Sequence, residues 1–334
     1  MAPTIVGVDE VTALSRHIIL PYITDTVYPS NAFYYRAMAA NRKTYEGGTH
    51  VEIPWMYQRL SNGGAYDGAY EVVDVSPNES VKNGALDMKH YQIPITIDRR
   101  TLKRMNTKMA IVNELTKLAK QAKMEMAALL GTDLSRSEGS SGTGSDLKKL
   151  TGLAAIVDAG GDTTTYAGIT RSSNTWLNAQ MNTTTTTLTQ SALRSQVSGQ
   201  TFGGHTPTLI RSRSEQYDRY WALCLANQRL MAGQGSSDAQ LANAGFKNLT
   251  FDGIPWIIDD QVKDGPNTSN SRIEFLNENV LEIAMFMPEG QDFELTEWRK
   301  PVDQPGAMTQ FLLTDLEVIC TNPQLQGAMT AIAA

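Results

Sequence analysis

Apolar side chains recur at steps of three or four along one stretch: Leu102, Met105, Met109, Val112, Leu115, Ala119, Ala122, Met126 and Leu129. That spacing predicts a helix over 99–130 with one buried stripe. Asp98 is placed to cap its start and Gly131 to stop it. At the usual rise per residue such a helix runs roughly 45–50 Å, beyond the ordinary length for a globular domain. Just before it the period changes to two. Val51, Ile53, Trp55 and Tyr57 share one face, as do Tyr91, Ile93, Ile95 and Ile97, which predicts two strands. Between them, 61–88 is rich in Gly, Asn, Asp and Ser. Segment 46–98 therefore reads as a two-stranded ribbon with a long tip. Such a ribbon is marginal by itself, and a long insertion of this kind carries either function or disorder.

The first forty residues have weak periodicity. Val11, Leu14, Ile18 and Ile19 could form a short helical face, followed by Tyr22, Tyr28, Phe33, Tyr34 and Tyr35. Two readings stand side by side: an arm that packs on a neighbouring subunit, or a helix on its own domain. Downstream, 131–148 has the composition of a flexible loop, and a short helix is expected over LKKLTGLAAIVDAG. Tyr166–Asn178, YAGITRSSNTWLN, packs Gly168, Thr170, Ser172, Ser173, Asn174 and Thr175 ahead of one Trp, with no His, Cys or acid. Such residues turn sharply and hydrogen-bond their own backbone. The Thr run after it disfavours helix. Helices are expected over SALRSQVSGQ and EQYDRYWALCLANQRL, with a strand over HTPTLIRS between them. The β stretches 246–262 and 272–287 should build the sheet of a second domain. DFELTEWRK and MTQFLLTDLEVIC should return as strands to the first.

Length and charge narrow the class. A chain of 334 residues is too long for one small core, so two domains are expected. No apolar run reaches 18 residues, which excludes a spanning helix, and the N-terminus has no secretory signal pattern. Cys224 and Cys320 lack a CxxC spacing and read as reduced structural thiols. A net charge of −6 argues against a free, tight DNA binder. The distribution says more. Between Arg99 and Glu125 lie eight basic residues and two acids, the basic ones beginning with Arg99, Arg100, Lys103, Arg104 and Lys108. Between Ser61 and Ser80 lie four acids, among them Asp67, Glu71 and Asp74, and no Lys or Arg.

Catalytic signatures are missing. His17, His50, His90 and His205 each stand alone, with no metal-ligand spacing. GSSGTGS at 139–145 lacks the phosphate-loop pattern and reads as a linker. There is no GxSxG. DDQVKDGPNTSN at 259–270 does not fit a calcium loop and reads as a turn between strands. The residues imply no cofactor, no metal and no enzyme. A soluble hydrolase with a site scattered in sequence stays as the alternative of another class.

Gly168, Arg171, Ser172, Asn174 and Trp176, then Phe251, Gly253, Pro255, Asp259 and Asp260, then Phe275, Leu276 and Asn277 fall in a definite order. In that order the chain resembles the major capsid proteins of tailed bacteriophages. The resemblance implies the α+β HK97-like capsid fold. It divides the chain into an N-terminal arm (1–45), an extended β-hairpin loop (46–98), a peripheral domain (99–185) with its spine helix (99–130), an axial domain (186–290), strands returning to the peripheral domain (291–322) and a C-terminal segment (323–334). It implies self-assembly into pentamers and hexamers of an icosahedral head around double-stranded DNA, in a virion assembled in the bacterial host cytoplasm. Portal, scaffold, protease and decoration proteins are the implied partners, and no membrane. An encapsulin-like nanocompartment is the alternative within the same fold. Tyr66, Asp67, Tyr70, Glu71 and Asp74 are then candidate inter-subunit contacts. Arg99, Arg100, Lys103, Arg104 and Lys108 are candidates to face the lumen or a neighbour. Some relatives join a ribbon Lys covalently to an Asn elsewhere, and Lys82 and Lys89 stand where such a Lys would be.

Overall fold

The computed structural model describes residues 31–65, 68, 72, 75–98, 108–142, 144–184, 187–231, 249–265, 272–286, 293–300 and 306–332, without the side chains of 108–114, 145 and 225–231. Two mixed sheets organise it. The first is centred on a long strand, β14 (Ala307–Cys320). On one edge β14 pairs antiparallel with β4 (Lys89–Asp98). On the other it pairs with β12 (Leu281–Met285) and β13 (Glu294–Leu295), and β1 (Arg42–Thr44) adds in parallel outside β12. Against this sheet lies the spine helix α2 (Lys108–Arg136), with Ala122, Met126, Leu130 and Leu134 buried in the larger core.

The second sheet has the order β7 (Gln180–Asn182), β15 (Gly327–Met329), β11 (Ile273–Leu276), β8 (Leu209–Ser212), β10 (Ile254–Ile258), β9 (Thr250–Phe251). Helices α4 (Gln190–Gln200) and α5 (Ser214–Met231) pack on it, and a second core forms around Leu193, Val197, Tyr217, Tyr220, Trp256, Phe275 and Ile332. Thr189 caps α4 by accepting from the Ala192 N–H at 3.1 Å.

Several expectations need correcting. The ribbon is β2 (His50–Met56) paired with β3 (Val81–Asp87), not with the strand at 91–97. VKNGALD shows little alternation because Gly84 stands at one inward position, so its strand character was hidden. The alternating Tyr91–Ile97 segment belongs to β4 and crosses to β14. Asp98 ends that strand, and residues 99–107, where the helix it would cap begins, lie outside the described residues. Gly131 does not stop α2, which continues to Arg136. A Cβ at Gly131 would stand 2.6 Å from the Asn31 amide carbon, and Asn31 donates from Nδ2 to the Ala127 carbonyl at 2.9 Å. The glycine makes room for that side chain. The last buried stripe residue is Leu130 and then Leu134, while Leu129 faces out.

Residues 31–44 are no free arm. Helix α1 (Ala32–Ala40) buries Phe33, Tyr34 and Ala37 against the spine helix and β12, and β1 completes the first sheet. Residues 1–30 lie outside the described residues. The Gly/Ser loop after α2 is ordered by contacts rather than left open by composition: Ser137 is buried, and the Ser141 hydroxyl donates to the Thr165 carbonyl at 2.5 Å. The helix expected over 147–160 appears as α3 (Leu153–Ile156), preceded by a separate 3-10 turn at Gly144–Lys148. Of the two β stretches expected in the second domain, β12 joins the first sheet instead.

Candidate assembly site

The segment YAGITRSSNTWLN folds into a post. Strands β5 (Thr165–Tyr166) and β6 (Ile169–Thr170) form a two-residue hairpin. Its turn residues Ala167 and Gly168 both have positive φ, 48° and 77°, the geometry that matches strand twist in tight hairpins. Arg171, fully buried, ties the segment down. Its Nη1 donates to the Asp158 carbonyl at 2.6 Å and the Leu177 carbonyl at 2.7 Å, Nη2 donates to the Ala155 carbonyl, and the guanidinium lies 5.5 Å from the centre of the Tyr166 ring. Burial pulls this guanidinium below its ordinary pKa, opposed by Asp158 and Tyr166. A planar fork suits three converging carbonyls.

The ribbon stands on this post. The Ala85 N–H donates to the Ala167 carbonyl at 3.1 Å. Gly84 lies so close that a Cβ there would come within 2.4 Å of the Trp55 ring and 2.9 Å of the Ala167 Cβ. Trp55 packs at centroid distances of 6.0 Å from Tyr166 and 5.7 Å from Trp176, and its Nε1 donates to the Thr321 carbonyl at 2.7 Å. Tyr57 stacks on Trp176 at 5.9 Å. Lys82 donates from Nζ to Asn174 Oδ1 at 2.8 Å and sits 4.9 Å above the Tyr57 ring. Lys89 donates to the Leu147 carbonyl at 3.0 Å. Both lysines singled out for covalent joining are thus engaged within their own chain.

Beyond Tyr57 and Ser80 the described part of the ribbon is mostly exposed. Asn62 Nδ2 donates to the Ser76 carbonyl at 2.5 Å and Asn78 Nδ2 to Ser61 Oγ at 3.0 Å, which hold its two limbs together. Among the described residues five of its large apolar side chains are exposed: Met56 is 79% exposed, Leu60 67%, Val72 94%, Val75 89% and Val81 50%. Sequence reasoning missed these five. The available signal was the presence of Val72 and Val75 inside an otherwise polar tip. The candidate contacts Tyr66, Asp67, Tyr70, Glu71 and Asp74 lie outside the described residues, as do Arg99, Arg100, Lys103 and Arg104, and the side chain of Lys108. Of the basic helix, Lys120 and Lys123 are described and exposed.

A buried charge centre sits where the second sheet meets α1 and the spine helix. Arg211 Nε donates to Glu274 Oε2 at 2.6 Å, and its Nη1 donates to Asp259 Oδ2 at 3.2 Å and Ser135 Oγ at 3.0 Å. Arg272 Nε donates to Glu274 Oε1 at 2.8 Å and its Nη2 to the Val157 carbonyl at 3.1 Å. The Arg211 guanidinium also lies 4.7 Å from the Phe33 ring centre. Burial pushes the Glu274 carboxyl up, but the two arginines outweigh it and hold it below the ordinary carboxylate value. The centre is structural in geometry: it fixes how the sheet carrying α4 and α5 stands on the body carrying the ribbon.

Among the described residues no group of three or more His, Cys, Asp or Glu could hold a metal ion, and no helix is long and apolar enough to cross a membrane. His90 pairs with Asp315 across the β4–β14 ladder at 2.6 Å.

No family model matches the sequence, and no curated protein does. Solved structures do. The capsid of cyanophage A-1(L) superposes with a TM-score of 0.67 at 14% identity, covering 97% of this chain and 98% of that one. The capsid of a native GTA particle gives 0.66 at 13%, covering 100% of both. The SrpI encapsulin of Synechococcus elongatus gives 0.60 at 10%, covering 98% and 96%. From end to end, the chain has the HK97-like capsid fold shared by phage heads and encapsulin shells.

Proposed function

We propose that this chain is a structural capsid subunit that assembles with copies of itself into the closed head of a tailed phage. One observation carries the reading. The ribbon is rooted on its own chain, yet Met56 at the end of the root and Leu60, Val72 and Val75 beyond it are each at least 67% exposed. Burying such a side chain contributes about 1.5–3 kcal/mol, before the cost of bringing subunits together. A neighbouring copy is the natural cover for a feature repeated on every subunit, and many modest contacts then add up over a shell. The matching capsid structures support this reading.

In this proposal five- and six-membered rings build an icosahedral head around double-stranded DNA, in the host cytoplasm. The acidic tip residues Asp67, Glu71 and Asp74 approach basic residues of a neighbour. The basic stretch from Arg99 to Lys123 meets phosphate without reading sequence. Portal, scaffold, protease and decoration proteins are expected partners, and the chain performs no catalysis. The likeness to an encapsulin favours a second reading, a shell around protein cargo.

The test is assembly of the full chain, by negative-stain microscopy and sedimentation, against a variant with Met56→Ser, Leu60→Ser and Val75→Ser. The native chain should give shells or their rings. The variant should stay small while its urea midpoint is unchanged, since these side chains touch little of their own chain. Shells of normal yield from the variant overturn the proposal. Nuclease-protected DNA in particles purified from infected or expressing cells separates a phage head from a cargo shell.

A further inference from the structure

We propose that Glu317 is a buried neutral acid whose ionisation loosens the joint between β14 and the loop after the spine helix, so that the folded chain is firmer in mild acid than above neutrality. Glu317 lies on β14 and is fully buried. Its Oε1 accepts from the Thr151 N–H at 2.6 Å and the Val318 N–H at 3.0 Å. Its Oε2 has no hydrogen-bond partner among the described residues, although the Thr151 side chain draws the carboxyl downward. Glu274 is equally buried but grips two guanidinium groups at 2.6 and 2.8 Å. Two glutamates with no exposed surface therefore have opposite fates. The one with arginines is ionised. The other meets no cation in contact, and a bare anionic oxygen in a packed core is costly. A proton on Oε2 removes that charge.

The surroundings agree in sign. Burial pushes the Glu317 carboxyl up to about 7, against the pull of the two N–H donors and of Lys89 on β4. Tyr91, also on β4, donates to Asp133 Oδ2 on the spine helix at 3.0 Å, and Lys149 in the loop stands 3.7 Å from Asp133. Burial pushes Asp133 up as well. Tyr166 and Cys320 are kept neutral by burial. For Glu317 the folded value lies above the ordinary 4.5. The folded state then holds a proton that the unfolded state has lost, and stability falls as pH rises from the lower value through the upper one.

Urea unfolding of the full chain between about pH 5 and pH 8, native against Glu317→Gln, tests this. The native folding equilibrium constant should fall about 100-fold more than the variant's across that span, leaving the variant the more stable protein at the alkaline end. Parallel pH profiles overturn the proposal, because Asp133 is common to both proteins. Infrared spectra of the native protein give a reading that needs no variant. A protonated-carboxyl band present near pH 6 and fading by pH 8 is expected, and its absence near pH 6 also overturns the proposal.

Discussion

Glu274→Gln should be among the most damaging single changes in this chain, although it keeps shape and nearly all atoms. Arg211, Arg272, Glu274 and Asp259 form a centre in which two cations and two anions cancel, and each is at most 3% exposed. The amide keeps one acceptor for the 2.6 and 2.8 Å contacts that the carboxylate makes with both arginines, and leaves one positive charge uncompensated in the interior. Breaking a buried pair by removing one partner costs about 3–5 kcal/mol. That is a large share of the ~5–15 kcal/mol that holds a typical domain. The assay is equilibrium urea unfolding followed by tryptophan fluorescence. The midpoint should fall with an unchanged slope, since the surface exposed on unfolding is the same. Asp252→Asn is the control. It breaks the Arg194–Asp252 pair, whose side chains are 60% and 49% exposed, and should cost less than about 1 kcal/mol. If Glu274→Gln costs no more than the control, the centre does not fix the second sheet to the body.

The same centre has a pH signature opposite to that of Glu317. The Glu274 carboxyl is held below its ordinary 4.5, so its contribution is complete above that value and is lost as pH falls through the folded value. The gap between native chain and Glu274→Gln should therefore be full at neutral pH and narrow in strong acid. A gap that widens in acid would mean that the carboxyl is not ionised in the native fold.

Two further predictions concern close approaches. Gly84→Val should push the ribbon off its post, because even a Cβ meets the Trp55 ring at 2.4 Å; we expect a loss of about 1–3 kcal/mol, a change in tryptophan emission and failed assembly. Gly131→Ala, which would stabilise an ordinary helix interior by about 0.5–1 kcal/mol, should instead destabilise by forcing Asn31 away from the Ala127 carbonyl, and a double-mutant cycle with Asn31→Ala should recover part of that loss.

These glycines also explain what was legible in the sequence. The spine helix showed itself because a surface-lying helix needs one apolar stripe, and Ala122 and Met126 fall on it. Helices α4 and α5 and strands β8, β10 and β14 fall where the sequence places them. Strand β3 was not, because its inward positions are Lys82, Gly84 and Leu86: close approach to Trp55 removed the side chain that would have shown the alternation. Gly131 misled in the opposite direction, since a glycine that makes room looks the same as one that stops a helix. The ordering of 137–152 depends on partners such as Thr165 and Glu317, far along the chain, which local composition cannot report. The Arg171 segment was read correctly as a self-bonding turn, yet its task as the ribbon's footing depends on Trp55, Lys82 and Gly84, about a hundred residues away.

In the proposed subunit the division of labour along the ribbon links stability to assembly. Its root is fixed by contacts that have little adjustable geometry: a tryptophan over a glycine, a backbone bond to Ala167, an ammonium held by Asn174. Its outer part joins its limbs through Asn62 and Asn78 and leaves Met56, Leu60, Val72 and Val75 largely in water. Exposed apolar surface of that kind would be a liability in a protein that works alone. A fixed root also means that the outer part is aimed before any partner arrives, which lowers the ordering cost of the contact. The buried charge centre does the same for the second sheet, setting its angle to the ribbon's body through directional bonds rather than through apolar contact alone. Two rigid bodies at a set angle, with one apolar limb presented outward, suit a subunit that must repeat the same contact many times around a closed shell.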